Sequence, residues 1–344
     1  MTLEQAGLII VLALLGFGVL KKIGFPASTI LGPLVFIGTY QVLGGGLPLL
    51  PAFLSNTFLI IIGLNIGTSI NRDNVEDIKK MWAPSLVIAA FTLVTTLIMT
   101  LIFLKMALDL PTALFSAAPG GIAEMAILGL AYKANVATIS TFQVVRYLVI
   151  IGIVPLLVKY FQNKNALNLK VENPSDVSLP MFSPQIIGLY VIGILGGLLL
   201  IALGVPGGGI LGSMPALGVA NIVSNQKYNF PSRLMRFALW GVGINIGLEF
   251  SPEIIMEIKQ MLLPIIGFSL AIVISNLLVG WLISYLYHWD LVTALLSSAP
   301  GGLSQMVAVT YEMKADVLKV SILQLVRVLT ILTSVPLAAA LIIT

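Results

Sequence analysis

The chain has 344 residues, of which 58% are hydrophobic and 9% are charged. A soluble domain averages about 25% charged residues, so this composition excludes an ordinary soluble protein and indicates a polytopic α-helical membrane protein. The absence of cysteine and the single histidine, His288, exclude thiolate chemistry, disulfides and a Cys/His metal centre. The net charge of +4 is scattered and forms no basic arm, so neither a cofactor, a metal nor a nucleic-acid partner is predicted.

Ten apolar segments follow one another along the chain and are predicted to be membrane helices. They lie at 6–20, 26–44, 52–70, 84–104, 137–158, 185–203, 208–224, 235–250, 263–287 and 317–343. The first segment has neither the basic residues nor the cleavage site of a signal peptide. A related segment recurs at 185–203, so we predict that the first segment is a retained transmembrane helix.

The chain consists of two copies of one unit. The sequence GLNIG at 63–67 matches GINIG at 243–247 with an offset of 180, and FSAAPGG at 115–121 matches LSSAPGG at 296–302 with an offset of 181. A polar stretch separates the two copies. We therefore predict a first membrane repeat at 1–161, a polar linker at 162–184 and a second membrane repeat at 185–344.

In each repeat a Pro-Gly-Gly sequence interrupts the apolar stretch between the fourth and fifth segments, within 112–132 and 293–313. Proline removes a backbone donor and two glycines loosen the backbone, so a straight helix is not expected there. Two alternatives are open: a broken helix that crosses the membrane, and a re-entrant hairpin that enters and leaves on one side. Each arm of a hairpin would be about 15 Å long, which is half of the bilayer core.

The distribution of lysine and arginine distinguishes these alternatives. Crossing segments would divide these residues nine to seven between the two sides, whereas re-entrant hairpins would divide them thirteen to three. The positive-inside rule favours the second distribution. We therefore predict an all-α polytopic protein of the inner (plasma) membrane, with two inverted repeats of about five transmembrane helices, each carrying a re-entrant Pro-Gly-Gly hairpin.

Inverted repeats with discontinuous helices near the membrane midplane are typical of secondary transporters. This architecture predicts a substrate site between the two hairpin tips, because free N–H and carbonyl groups at helix breaks bind small polar solutes. The alternative is a tight turn that only allows the helices to pack. The predicted tip residues are Ser116, Pro119, Gly120, Gly121, Ser297, Ser298, Pro300, Gly301 and Gly302.

Two further pairs of residues occupy equivalent positions in the two repeats, and three of the four residues are ionisable. Glu124 follows Gly121 by three residues and its counterpart is Gln305; a buried acid of this kind either couples transport to an ion or bonds the free N–H groups at a helix start. Arg146 and Arg327 lie inside the last segment of each repeat. Because arginine stays charged, each either holds an anionic substrate, braces the hairpin by donating to its carbonyls or pairs with Glu124.

Two amides form a further candidate pair. Asn65 and Asn245 each stand between glycines in a Gly-x-Asn-x-Gly motif. The motif indicates close helix contact or local unwinding, so these side chains either line the site or bond between helices. Asp109 and Asp290 precede the two interrupted segments and are interpreted as helix caps.

The sequence APGG at 118–121 and 299–302, with Glu124 three residues after the first Gly-Gly, resembles the membrane AbrB-type family, whose members are built as an AbrB duplication. The resemblance extends over nearly the whole chain because both repeats match. It implies a membrane protein linked to the control of gene expression, and family members have also been labelled ammonia monooxygenase. One histidine and no cysteine argue against oxygenase chemistry. The predicted architecture is also similar, by analogy of fold, to elevator-type carriers of organic anions.

The function predicted from these observations is secondary transport of a small polar or anionic solute, coupled to H⁺ or Na⁺. The absence of a P-loop argues against intrinsic ATP hydrolysis, and no enzyme activity is predicted. The alternative is a membrane sensor or regulator that uses the same pocket without turnover and affects gene expression indirectly. The expected partners are the solute or ion, the lipid bilayer and a second copy of the chain in a homodimer.

Overall fold

The computed structural model describes residues 2–72, 75–165, 184–205, 207–225 and 230–343, and within these all side chains except those of residues 123, 124, 161–165, 255–257, 260 and 340–343. All regular structure in these ranges is α-helical. The helices are α1 Leu3–Lys22, α2 Ser28–Val42, α3 Ala52–Thr68, α4 Val75–Lys80, α5 Trp82–Lys105, α6 Leu110–Ala117, α7 Ile122–Ala131, α8 Val136–Asn165, α9 Pro184–Ala202, α10 Gly208–Ser224, α11 Ser232–Leu248, α12 Glu253–Gln260, α13 Leu262–Tyr287, α14 Leu291–Ser298, α15 Leu303–Glu312 and α16 Val317–Ile343.

Each of the ten predicted apolar segments forms one helix, and both interrupted segments form two short helices. The additional helices α4 and α12 are too short and too polar to give an apolar signal, since their sequences are VEDIKK and EIIMEIKQ. The predicted linker at 162–184 lies outside the described residues apart from its two ends, which belong to α8 and α9. The repeat boundaries therefore stay predictions.

Six stretches of the described chain are long and apolar enough to cross a membrane, which makes this a multi-pass membrane protein. They are Leu3–Lys22, Val75–Lys105, Val136–Tyr160, Pro184–Ala202, Leu262–Tyr287 and Val317–Ala339. The apolar helices α2, α3 and α10 have 15 to 17 residues, fewer than the roughly 20 that a perpendicular crossing needs. Six of the ten predicted spans thus correspond to helices whose length and composition suffice to cross a membrane.

The helices form two groups, and each group draws equally on both halves of the chain. In the first group, which we call the crossed bundle, α2 packs against α11 and α3 packs against α10, with α1 and α9 beside α2 and α10. In the second group, the broken-segment bundle, α5 packs against α16 and α13 packs against α8 around the short helices α6, α7, α14 and α15. Every one of these pairs has its counterpart under the sequence repeat.

Glycines allow the close crossings in the crossed bundle. A methyl group on Gly67 of α3 would lie 3.0 Å from the carbonyl oxygen of Met214 on α10, and one on Gly247 of α11 would lie 3.0 Å from the carbonyl oxygen of Leu34 on α2. Both Gly-x-Asn-x-Gly motifs are helical throughout. Of the two alternatives for this motif, the structure therefore has close helix contact and not local unwinding.

Amide side chains reinforce the same crossings. Gln41 on α2 donates to the carbonyl oxygen of Leu248 at the end of α11, at 3.2 Å, and Asn221 on α10 donates to that of Gly67 at the end of α3, at 3.0 Å. The carbonyls at a helix C-terminus have no partner within their own helix. Each amide thus satisfies the end of a helix from the opposite repeat.

Three phenylalanines join the two halves in the broken-segment bundle. The ring of Phe103 on α5 lies 4.6 Å from that of Phe142 on α8 and 5.5 Å from that of Phe268 on α13, between ring centres. The rings of Phe142 and Phe268 are 5.3 Å apart and nearly perpendicular. Aromatic pairs favour such edge-to-face arrangements, so this cluster fixes α5, α8 and α13 against one another.

The two interrupted segments, which we call the broken segments, consist of α6 with α7 and of α14 with α15. In the first, the backbone N–H of Asn135 donates to the hydroxyl of Thr112 at 2.8 Å; in the second, the N–H of Asp316 donates to the hydroxyl of Thr293 at 3.1 Å. The start of each broken segment therefore lies beside the residues that follow its end.

Both broken segments begin with an aspartate cap. The carboxylate of Asp109 accepts a hydrogen bond from the N–H of Thr112 at 3.1 Å, and that of Asp290 accepts one from the N–H of Thr293 at 2.8 Å. These bonds satisfy N–H groups that the first turn of a helix leaves free. The interpretation of both aspartates as helix caps is confirmed.

Candidate functional site

The tips of the two broken segments meet at one cavity. Pro119 and Arg146 from the first repeat and Pro300 and Arg327 from the second line it, and its volume is about 60 Å³. The remaining lining comes largely from α5 and α13. The sequence predicted a site between the tips, and these four residues are the members of the predicted set that the cavity brings together.

Arg146 is 1% exposed and binds the first tip through its backbone. Its two terminal nitrogens donate to the carbonyl oxygens of Ala118, at 3.2 Å, and of Gly120, at 2.5 Å. The hydroxyl of Tyr147 donates to the same Gly120 oxygen at 3.0 Å. The Nε of Arg146 is buried and has no hydrogen-bond partner in the described structure.

Arg327, also 1% exposed, binds the second tip in a related way. It donates to the carbonyl oxygen of Ala299 and, at 2.6 Å, to that of Ser298. It also donates to the side-chain oxygen of Gln324 at 3.1 Å. Arginine carries five donors and no acceptor, so the end of a short helix with several free carbonyls is a natural partner for it.

Two glutamines, each one helical turn before one of the arginines, also donate to the carbonyls at the ends of α6 and α14. The side-chain nitrogen of Gln143 donates to the carbonyl oxygens of Phe115 and Ala118 at 2.8 and 2.9 Å. That of Gln324 donates to those of Leu296 and Ala299 at 3.1 and 2.9 Å. Residues three apart share one face of a helix, so each Gln-x-x-Arg sequence donates from three side-chain nitrogens to the end of a broken helix.

The described residues that line the cavity include two arginines and no acidic residue. Neither Arg146 nor Arg327 forms an ion pair with any side chain that the structure describes, and the two positive charges repel each other. The C-terminus of a helix is equivalent to about half a negative charge. The ends of α6 and α14 therefore offset about one of the two positive charges, while the N-termini of α7 and α15 at the same breaks add positive potential.

The predicted serines lie close to the tips but not in the lining of the cavity. Ser116 and Ser297 are fully buried, and neither hydroxyl has a partner in the described structure. The hydroxyl oxygen of Ser298 accepts a hydrogen bond from the side-chain nitrogen of Asn276 on α13 at 2.9 Å. The turns between the short helices are formed by Gly120 and Gly121 in the first repeat and by Gly301 and Gly302 in the second. The carbonyl oxygen of Gly120 accepts the hydrogen bond from Arg146.

The predicted coupling pair is described only in part. Glu124 lies on α7, but its side chain is outside the described residues. The side-chain oxygen of Gln305 accepts a hydrogen bond from the hydroxyl of Ser304 at 3.2 Å, and Gln305 does not line the cavity. Both positions begin the second arm of a broken segment, directly after the turn.

Asn65 and Asn245 belong to the crossed bundle and do not line the cavity. The side-chain oxygen of Asn245 accepts from the hydroxyl of Ser55 on α3 at 2.8 Å, and its nitrogen donates to Glu249 at 3.1 Å. The arrangement at Asn245 is therefore the interhelical bond that the sequence analysis gave as the alternative to site lining.

Sequence reasoning missed Thr92, which lines the cavity from α5. Its hydroxyl is buried and has no partner in the described structure. The sequence contained a pattern that could have indicated this residue, because Thr92, Thr96 and Thr100 recur every four residues on an apolar helix. All three are buried in the structure. That spacing places three hydroxyls on one helix face, which faces the protein and not lipid.

Comparison with known proteins places this chain in a family. Residues 41–343 match the AbrB family, described as "Transition state regulatory protein AbrB". Over 345 aligned residues the chain is 27% identical to "Putative regulator AbrB" of Escherichia coli, covering 98% of this chain and 96% of that protein. It is 22% identical over 297 residues to "Uncharacterized protein YhjN" of Bacillus subtilis, covering 80% and 75%. Neither name is that of an enzyme, and no solved structure matches the chain.

Proposed function

This multi-pass membrane protein belongs to the AbrB family, and we propose that it is a secondary transporter of a small polar or anionic solute, coupled to H⁺ or Na⁺. The solute site lies between the two Pro-Gly-Gly tips. One observation carries the proposal: Pro119 and Pro300, from different repeats, line one cavity together with the buried side chains of Arg146 and Arg327. Discontinuous helices from two repeats that meet in this way are typical of secondary transporters.

The contacts at the ends of the broken segments support re-entrant hairpins. A segment that crossed the bilayer would separate its ends by about 30 Å, whereas Thr112 and Asn135 are joined by a hydrogen bond of 2.8 Å. Two re-entrant segments give each repeat an odd number of spans, which makes the repeats inverted. The reciprocal pairing of α2 with α11 and of α3 with α10 fits a two-fold axis between such repeats.

The division into two bundles supports a moving and a fixed part. The crossed bundle is held by glycine crossings at Gly67 and Gly247, which makes it a rigid frame. The broken-segment bundle carries the cavity and touches the frame mainly through α15, α16 and α12. At this contact Glu312, the last residue of α15, lies beside Thr29 in the first turn of α2. In an elevator-type cycle this contact is lost when the bundle moves.

In this cycle the residues at the tips have separate tasks. Arg146 and Arg327 keep the tips in shape and provide positive charge to the solute. Glu124 exchanges a proton or binds a cation at the start of α7, and Gln305 at the equivalent place in α15 cannot ionise. The first repeat is therefore the coupling half.

The same proposal places the protein in the inner (plasma) membrane, with both termini away from the cytoplasm. The positive-inside rule gives this orientation for ten spans with inverted repeats, since thirteen lysines and arginines then face the cytoplasm against three on the other side. The functional unit is a homodimer, in which the crossed bundles of two copies provide the stationary part.

A second candidate is a membrane sensor or regulator. It is favoured by the name of the Escherichia coli relative, "Putative regulator AbrB". Such a protein binds a solute in the same cavity and changes conformation without carrying it across the membrane. Any effect on gene expression is then indirect.

Uptake into proteoliposomes separates the two candidates. The full chain is reconstituted, a pH or Na⁺ gradient is imposed, and the accumulation of radiolabelled acetate, sulfate and glycine is followed. A transporter accumulates one of these probes above its external concentration and stops when the gradient is abolished. Retention of a probe at no more than one molecule per protein, without response to the gradient, would overturn transport of that probe and favour the sensor.

A further inference from the structure

We infer that the cavity between the tips binds one small anion, a carboxylate or an oxyanion, in preference to a neutral solute or a cation. The inference rests on the site of the proposed function and narrows its solute to one chemical class. It does not depend on turnover, because a transporter and a sensor would bind the same anion. Three properties of the cavity lead to it: its charge, its free donors and its size.

The first property is uncompensated positive charge. Arg146 and Arg327 are each 1% exposed, line the same cavity and have no acidic partner among the described side chains. Two like charges held together in a membrane protein are costly, because water is excluded and repulsion is weakly screened. The C-terminal ends of α6 and α14 offset about half of this charge, and the N-terminal ends of α7 and α15 add to it. An anion between the guanidinium groups neutralises the rest.

The second property is a set of buried donors with nothing to bind. The Nε of Arg146 and the hydroxyl of Thr92 belong to residues that line the cavity, and both atoms are buried without a partner. Buried polar groups are normally satisfied, so such atoms require an explanation. An anion in the cavity, toward whose acceptor oxygens these two side chains turn when it binds, provides it.

The same donors disfavour a cation at this place. A cation such as Na⁺ needs several oxygen ligands, and the carbonyl oxygens of Ala118, Gly120 and Ala299 already accept hydrogen bonds from the two arginines. Arginine provides only donors. A coupling cation therefore binds elsewhere, and the lining of this cavity serves an anion.

The third property is size. One water requires about 10–15 Å³ of such space, so the cavity of about 60 Å³ holds about four waters or one ion of the size of acetate or sulfate. Phe91, Phe268 and Ile272 give it apolar walls. A short-chain carboxylate and an inorganic oxyanion both fit this description.

Ligand binding to the purified full chain tests the inference. Thermal unfolding in detergent is followed by tryptophan fluorescence while sodium acetate or sodium sulfate replaces sodium gluconate, which is too large for the cavity, at constant sodium concentration. Acetamide, the neutral analogue of acetate, is the matched ligand control. We expect a saturable rise in Tm with acetate or sulfate and none with acetamide. Acetate alone identifies a carboxylate site, and sulfate alone an oxyanion site.

Variants connect the binding to the cavity. Arg327→Gln is expected to weaken binding about tenfold to hundredfold, since a hydrogen bond to a charged group is lost, and Arg327→Lys to retain part of it. Thr92→Val leaves the tips braced and is expected to weaken binding about threefold to tenfold. Arg72→Gln is the control, because Arg72 is an exposed arginine that donates to the carbonyls of Ile222 and Val223 outside the cavity.

Three results would overturn the inference: no saturable Tm rise with either anion, an equal rise with acetamide, or unchanged affinity in folded Arg327→Gln and Thr92→Val protein. The Thr92→Val variant keeps the test valid even where Arg327→Gln fails to fold. If the protein binds an anion but accumulates none in proteoliposomes, the anion site is supported and the transport function is overturned. If the protein takes up glycine along a gradient but binds no anion, transport is supported and the anion site is overturned.

Discussion

Arg146 and Arg327, from opposite halves of the chain, donate to the carbonyls of Ala118 and Ala299, the alanines directly before the two tip prolines. Their remaining bonds differ, because Arg146 reaches forward to Gly120 and Arg327 reaches back to Ser298. The duplicated sequence thus gives two similar but unequal tips. The two guanidinium groups that brace the tips also line the cavity, so the two roles that the sequence left open do not exclude each other.

Bracing of the tips predicts a stability effect at the neutral partner of the arginine. Gln324→Leu leaves the carbonyls of Leu296 and Ala299 with fewer donors in a buried place, and a lost buried partner costs about 1–3 kcal/mol. We expect a clearly lower Tm in detergent. Gln185→Leu, at an exposed position of α9, is the control; an equal Tm for both variants would contradict the brace.

The close crossing of α11 and α2 predicts that Gly247→Ala is destabilising. The new methyl group would lie 3.0 Å from the carbonyl oxygen of Leu34 and from the Cβ of Ile37, and overpacking costs about 1–3 kcal/mol. The loss is measured as a fall in Tm of the purified protein. Gly267→Ala on α13 meets no atom within 4 Å and should leave Tm unchanged or slightly higher, and a similar fall in both would refute the packing argument.

The bond between Thr112 and the backbone of Asn135 predicts local opening when the hydroxyl is removed. Thr112→Val keeps the shape and loses the acceptor for this N–H, so the two ends of the first broken segment separate more often. Faster hydrogen exchange in residues 110–135 by mass spectrometry is the expected result. Thr57→Val removes a hydroxyl that bonds only within its own helix and serves as the control. Unchanged exchange in Thr112→Val would show that this bond does not hold the ends.

The proposed inversion of the two repeats predicts a labelling pattern in intact cells. Because the chain has no cysteine, single cysteines at Lys21, Lys133 and Lys164 can be probed with an impermeant maleimide. We expect protection at 21 and 164 and labelling at 133. If 21 and 133 behave alike and 164 differs, the broken segments cross the membrane and the repeats are parallel.

Coupling through Glu124 predicts a change in the driving force. In Glu124→Gln the position resembles Gln305 in the second repeat, so uptake of the transported probe should lose its dependence on the pH or Na⁺ gradient while binding is retained. Glu4→Gln, an exposed residue of α1, is the control. Gradient-driven uptake by Glu124→Gln at the rate of the unmodified protein would exclude this residue from coupling.

The positions of the helices and of their interruptions follow closely from apolar length and from Pro-Gly-Gly, because both signals are local. The lining of the cavity does not. Ser116 and Ala117 are neighbours on α6, but each helical residue is rotated by about 100° from the last, and only Ala117 faces the cavity. The sequence also does not reveal that Asn65 and Asn245 belong to a different bundle from the tips, since bundle membership depends on contacts between distant segments.

The exchange of partners between the two halves has a consequence for synthesis in the membrane. The face of α2 that carries Leu34 and Ile37 is completed by the glycines of α11, whose first residue, Ser232, lies about 200 positions after Ser28. At about 5–20 residues per second, a ribosome needs about 10–40 s to produce it. During this interval the early helices face lipid or the insertion machinery with unfilled grooves. We therefore predict that the first half is degraded faster when it is made alone than when it is co-expressed with the second half as a separate chain.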